Sequence, residues 1–179
     1  MEGFSTASAA ATCSAISKKA NETAFAIDTV AAEPRSSGHP DVQKELAFLS
    51  IRLQQLCQHS DQLASCLVDD PVVSPKLQAI LAQVLPECDK AVTDVADEVS
   101  RVRSGSVTHA INLMAVSQYQ RLVAAYSRIV IFASQLSTID IDEEQESKLA
   151  HADAHQLLET VDTAAQHVRI SSGIFVAPN

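Results

Sequence analysis

One stretch leaves this chain few choices of fold. Val42, Leu46, Leu49, Leu53, Leu56, Ser60, Leu63 and Leu67 follow one another at spacings of four and three in unbroken alternation. Such alternation is a heptad pattern, and it draws one narrow apolar seam along a helix. Ser60 is its single polar member. At a rise of 1.5 Å per residue, the roughly 26 residues make a rod about 39 Å long. A rod of that length is covered only by other long helices. Pro40-Asp41 reads as its start and Asp69-Asp70-Pro71 as its stop. The expected class is therefore all-α, an up-and-down bundle of five to six long helices.

Composition agrees. The 179 residues suit one domain with a sizeable core, and residues 1–3 and 171–179 are expected as loosely ordered ends. Ala, Val and Leu dominate the 46% hydrophobic content, aromatics make up 4%, Trp is absent and there are four Gly. So few turn residues and aromatics argue for long helices and against an all-β fold.

Along the chain, Met1 to Glu33 reads as a first helix with Ile16, Ala20, Thr23 or Ala24, Ile27 and Val30 or Ala31 on one face and Cys13 one turn earlier. That face is small, so this helix is expected to hold the bundle least firmly. Pro34 to Pro40 reads as a loop. Ser74-Pro75 reads as N-cap and first turn of a third helix running to Arg103. Pro86 lies within it, removes the amide that would bond Ala82, and is expected to kink or split it. Ser104-Gly105-Ser106 should end it. The next helix, Ser106 to Ser137, carries two apolar stripes, Val107 to Leu136 and Val116 to Ala133, and so takes the central place. Arg128-Ile-Val-Ile-Phe-Ala is read as part of it, not as a strand. Ile139 to Glu144 is an acidic start for the last helix, with Leu149, Ala152, Leu157 or Leu158, Val161, Ala165 and Val168 inward. Ile174, Phe175 and Val176 are candidates to dock back.

The net charge of −9, from 22 acids and 13 bases, supplies no basic stripe. Nucleic acid is therefore not expected as a partner, and the charge does not support attraction to an anionic membrane. Cysteines at 13, 57, 66 and 88 form no close pair and fit small buried side chains in a reducing, cytoplasmic setting. Gly3 to Ser17 lacks the basic start and leucine-rich core of a signal peptide. No apolar run reaches the length of a membrane span.

The constellations with chemical content are few. His151, His155 and Glu159 share one helix face at metal-ligand spacing and are a weak metal candidate, since the spacing arises easily by chance and a solvated face is the plainer reading. His59 follows Cys57 by two residues, which points the two to different sides of a helix. No nucleophile elbow, P-loop or dinucleotide fingerprint occurs. No catalytic group and no cofactor is expected, and the chain reads as a non-enzyme. Met114, Tyr119 and Tyr126 are candidates to line a cavity between helices, or to be core with hydroxyls at its rim.

A wider likeness rests on the order of these pieces. Met1-Glu-Gly-Phe-Ser and an Ala/Ser-rich helix precede Lys44-Glu-Leu-Ala-Phe-Leu-Ser-Ile-Arg-Leu-Gln-Gln-Leu. Leu77 to Leu85 then leads into Glu87-Cys-Asp-Lys-Ala-Val-Thr-Asp-Val. The layout resembles the helical N-terminal domains of fungal STAND (NLR-like) proteins, among them the HeLo-like domains and the domain named for an azaphilone-pigment-cluster protein. It covers most of the chain and is strongest over residues 41–103. Glu45, Leu46, Leu49, Leu53, Leu56, Cys88 and Val92 match as pattern positions. The resemblance implies a signalling bundle that associates with itself or a protein partner. In some members the first helix acts on membranes, a role that would fall here to Phe4, Ile16, Phe25, Ile27 and Val30. No nucleotide-binding or repeat region follows in this sequence, and the first helix is less hydrophobic than a membrane-active one.

The leading expectation is a non-enzymatic helical interaction domain. A small-molecule or lipid-binding bundle and a membrane-acting effector released through Phe4 to Val30 stand as alternatives.

Overall fold

A computed structural model describes residues 4–33, 40–69, 73–104, 110–138, 143–171 and 173–176, excluding the side chains of 104, 110, 138, 143–152 and 176. The expected turns at 34–39, 70–72 and 105–109, the acidic start at 139–142 and the ends at 1–3 and 177–179 lie outside them.

The elements are α1 (Thr6–Ala32), α2 (Pro40–Asp69), α3 (Pro75–Ser104), β1 (Ala110–Ile111), α4 (Leu113–Thr138), α5 (Glu143–Ile170) and β2 (Phe175–Val176). Five helices form an all-α bundle. The heptad seam of α2 is its axis: Leu46, Leu49, Leu53, Leu56, Ser60, Leu63 and Leu67 are all buried, and Val42 is half-buried.

Side-chain bonds fix the helix directions. Gln43 Nε2 donates to the Ala31 carbonyl at 3.3 Å, Ser50 Oγ to the Ala24 carbonyl at 3.3 Å, and Ser17 Oγ lies 3.2 Å from Cys57 Sγ. Numbers rise on α2 as they fall on α1, so the two are antiparallel. Lys19 Nζ reaches Asp89 Oδ1 at 2.6 Å and Thr93 Oγ1 at 2.7 Å, while Ser5 to Thr12 face Leu81 to Pro86. Helices α1 and α3 are therefore parallel. Gln120 Nε2 donates to Glu45 Oε2 at 2.8 Å and His59 Nδ1 lies 2.6 Å from Ser127 Oγ, so α2 and α4 are also parallel. The contacts close a ring α1–α2–α4–α3, with α5 outside it on α4. One continuous apolar core runs through the ring and takes in residues of α5.

Three expectations are corrected here. The first concerns α1, whose contact with α2 is the most extensive in the fold. Its small inner residues Ala9, Ala10, Cys13, Ser17, Ala20 and Ala24 are buried. Small side chains give little area each but let two backbones approach closely along their whole length. Among the described residues α5 packs extensively on α4 alone, which makes it the peripheral helix.

Second, α3 is not split at Pro86, so the described residues form five helices, the lower of the two expected counts. Pro86 and Ala82 both face solvent. The carbonyl that loses its amide partner is thus open to water, which lowers the cost of the break.

Third, α4 starts at Leu113 and not at Ser106. Asn112 Oδ1 accepts the Ala115 N–H at 3.3 Å, an N-cap that sets the boundary. Residues 110–111 before it are extended and pair with β2 in antiparallel register, Ala110 with Val176 and Ile111 with Phe175. The second stripe of α4, Val116, Tyr119, Val123, Tyr126, Val130 and Ala133, is buried throughout, and the first is buried at Leu122, Ala125, Ile129 and Leu136 but exposed at Met114. That places α4 between α2, α3 and α5.

The caps elsewhere follow the sequence. Ser5 is extended and accepts the Ser8 N–H at 3.3 Å, so α1 begins there and not at Met1. Ser74 Oγ accepts the Leu77 N–H at 3.3 Å. In the tail, Ile174 is fully buried and Phe175 half-buried, so these two candidates do dock back onto the bundle.

Candidate functional site

The bundle presents four places with more than packing content. The first seats the tail. Glu98, on the inner side of α3, is a buried carboxylate. Its Oε2 accepts the Ile174 N–H at 2.5 Å and the Phe175 N–H at 3.2 Å. The Ile174 carbonyl in turn accepts the Asn112 N–H at 2.8 Å. A Cβ on Gly173 would lie 2.9 Å from Glu98 Oε2, so glycine is what lets the backbone come this close. Arg101 stands 4.0 Å away on the next turn. Tyr119 hydrogen-bonds Glu98, and its phenol is pushed up to about 12 by burial and then by the charges of Glu98 and Asp94.

The second is a groove of about 640 Å³ between α2, α4 and α5. Arg52, Arg121 and Arg128 line it, with Gln120 beside them and Thr160, Thr163, His167 and Glu159 opposite on α5. The third is a cleft of about 450 Å³ between α3, α4 and α5, lined by Pro86, Glu87, Tyr126, Leu158 and Arg169 among others. Burial and the nearby Cys88 and Glu87 raise the Tyr126 phenol above its ordinary value.

The fourth is an apolar outer face. Phe25 on α1 is 71% exposed, and Phe48 and Ile51 on α2 are 44% and 47% exposed. The Ser50–Ala24 bond puts these three side chains at one level of the antiparallel pair. Lys44 Nζ stands 5.8 Å from the centre of the Phe48 ring.

The residues singled out in the sequence fall differently. Met114 is 68% exposed, and it lines none of the described clefts. Tyr119 turns to Glu98, and of the three only Tyr126 lines one of the described clefts. Five residues on a helix is about 140° of turn, which sends Met114 and Tyr119 to different sides. Ile16, Ile27 and Val30 are buried in the core and Phe4 is half-buried, leaving Phe25 outward. His155 and Glu159 are exposed, and the side chain of His151 lies outside those described. Among the described residues no three His, Cys, Asp or Glu side chains gather as metal ligands. Of the pattern positions, Leu46, Leu49, Leu53, Leu56, Cys88 and Val92 are core, and Glu45 is half-buried with its carboxylate on Gln120.

The nucleophiles are muted. All four cysteines are free, and burial pushes the Cys13 thiol up to about 12 and raises that of Cys88 further. Thiols held protonated are poor nucleophiles. The His59–Ser127 pair has catalytic geometry in isolation, but Ser127 is buried and neither residue lines a described cleft.

Reasoning from the sequence missed the Glu98 seat and the arginine groove. Arg121 and Arg128, seven residues apart, were a legible same-face pair. Nothing local announces that Glu98 meets residues 76 positions later. Among the described residues no helix is long and apolar enough to cross a membrane. In comparison with known proteins, the chain matches no family model, no curated protein and no solved structure.

Proposed function

We propose that this chain is a non-enzymatic association module that pairs with a second copy of itself through the outer face of α1 and α2. One observation carries the reading: Phe25, Phe48 and Ile51 stand in water at one level of the most tightly packed helix pair. Contiguous exposed apolar surface on a rigid support is the mark of an interaction site. The charges nearby fit a two-fold partner. Glu22 and Asp28 are exposed three residues to either side of Phe25, and exposed Lys44 covers Phe48. A two-fold axis that lays α1 of one copy along α2 of the other sets these acids against Lys44. The resemblance to fungal NLR-like N-terminal domains supports association and signalling as the role, and the four free thiols support a cytoplasmic, reducing setting.

The test is light scattering coupled to size exclusion, from micromolar to near-millimolar protein. The mass should rise toward twice the 19.1 kDa of one chain, and Phe25→Asp with Phe48→Asp should hold it at one chain while the helical circular dichroism is kept. A mass of one chain at every concentration refutes the reading.

A further inference from the structure

The geometry points to a binding site for a small soluble polyphosphate, in the class of nucleoside di- and triphosphates, in the groove between α2, α4 and α5. The chain carries 13 basic residues against 22 acidic ones, yet three of its arginines converge here. Arg121 and Arg128 are seven residues apart on α4, two turns and about 10.5 Å along its axis. Arg52 comes level with the space between them. Glu45, seven residues before Arg52, meets Gln120, and His59, seven residues after it, meets Ser127. Three arginines from two helices therefore line the same stretch of the groove.

Their surroundings leave them available. Arg52 donates to Gln55 Oε1 at 3.0 Å, a neutral acceptor on its own helix. Arg121 and Arg128 have no ion pair among the described residues. Glu159 lines the groove and the Glu45 carboxylate sits on Gln120 at its edge, so three positive charges face two negative ones. Thr160 and Thr163 hydroxyls and the His167 imidazole line the α5 wall and supply further hydrogen-bonding groups. Guanidiniums bind phosphoryl oxygens with paired, charge-assisted hydrogen bonds. A single phosphate engages one or two of them, whereas a chain of two or three phosphoryl groups spans all three. The volume of about 640 Å³ is that of a small-molecule site.

This site is independent of the α1–α2 outer face, so either proposal stands without the other. The probe is inorganic tripolyphosphate, titrated calorimetrically into the full chain at near-physiological salt. Saturable one-to-one binding is expected, weakened about tenfold or more for each groove arginine removed in Arg121→Gln and Arg128→Gln. Glutamine keeps helix propensity at these exposed positions, so both variants should fold, and circular dichroism checks that. The controls are Lys18→Gln and Lys90→Gln, each of which removes one positive charge elsewhere on the surface and should leave affinity unchanged. Binding to phosphoinositide vesicles without binding to free tripolyphosphate overturns the proposal. So does no binding at millimolar probe, or equal weakening in the controls.

Discussion

Removing the carboxylate of Glu98 should release the end of the chain from the bundle. Glu98 Oε2 accepts two backbone N–H groups, and a hydrogen bond to a charged group contributes about 1.5–3 kcal/mol. Ile174 is fully buried beside it, which stabilises by about 1.5–3 kcal/mol more. Two terms oppose these. Burying the carboxylate costs desolvation free energy, and fixing the four residues 173–176 costs roughly 1–2 kcal/mol each in backbone entropy. These contributions largely cancel, so Glu98→Ala should destabilise by about 1 kcal/mol, a fall of roughly 2–4 °C in melting temperature for a chain of this size. Glu98→Gln keeps the shape and one acceptor and should cost less. The decisive assay is a double-mutant cycle by urea denaturation, comparing Glu98→Ala, a chain ending at Ser171, and the two combined. If the carboxylate acts by holding the tail, the combined chain is no less stable than the worse single one by more than about 0.5 kcal/mol. Full additivity would show that Glu98 stabilises through something other than the tail.

Two further outcomes follow from buried polar groups. Ser60 sits in the α2 seam with its Oγ buried and without a hydrogen-bond partner, so Ser60→Ala should stabilise by about 1 kcal/mol; a lower urea midpoint would contradict this. Cys13, Cys88, Tyr119 and Tyr126 are neutral acids whose folded values are raised, two of them to about 12. Above their ordinary values of 9.0 and 10.0 the unfolded chain loses these protons first and binds fewer than the folded one. Stability is then complete below about pH 9 and falls as pH rises toward 12, by about 1.4 kcal/mol per unit for each group that titrates. Urea midpoints at about pH 7 and 10.5 test the sign, and an equal or higher midpoint at the alkaline value refutes it.

What the sequence revealed depended on how local the cause was. The α2 seam was legible because its leucines repeat along one helix, and burial follows from that spacing alone. The Ser74 cap was legible for the same reason. The start of α4 was not, because Val107 and Ile111 continue the apolar period while Asn112 and the pairing of β1 with β2 stop the helix. Pro86 misled because its cost depends on which way Ala82 faces, which only the packed bundle decides. The strength of α1 misled for a related reason: side-chain area was judged, and backbone approach was not. As for sites, the groove needs arginines from two helices to meet, and the tail seat joins residues 76 apart. Neither juxtaposition exists in any short window.

The claim on which the rest depends is that α1, in spite of its small side chains, is held as firmly as the α2 seam, and that α5 is the loosely held helix. Native-state hydrogen exchange read residue by residue measures this directly. Amides of α1 from Cys13 to Val30 should exchange as slowly as those of α2 from Leu49 to Leu63, with α5 opening first. Exchange of α1 ahead of α5 would contradict the account and return the first helix to a detachable role.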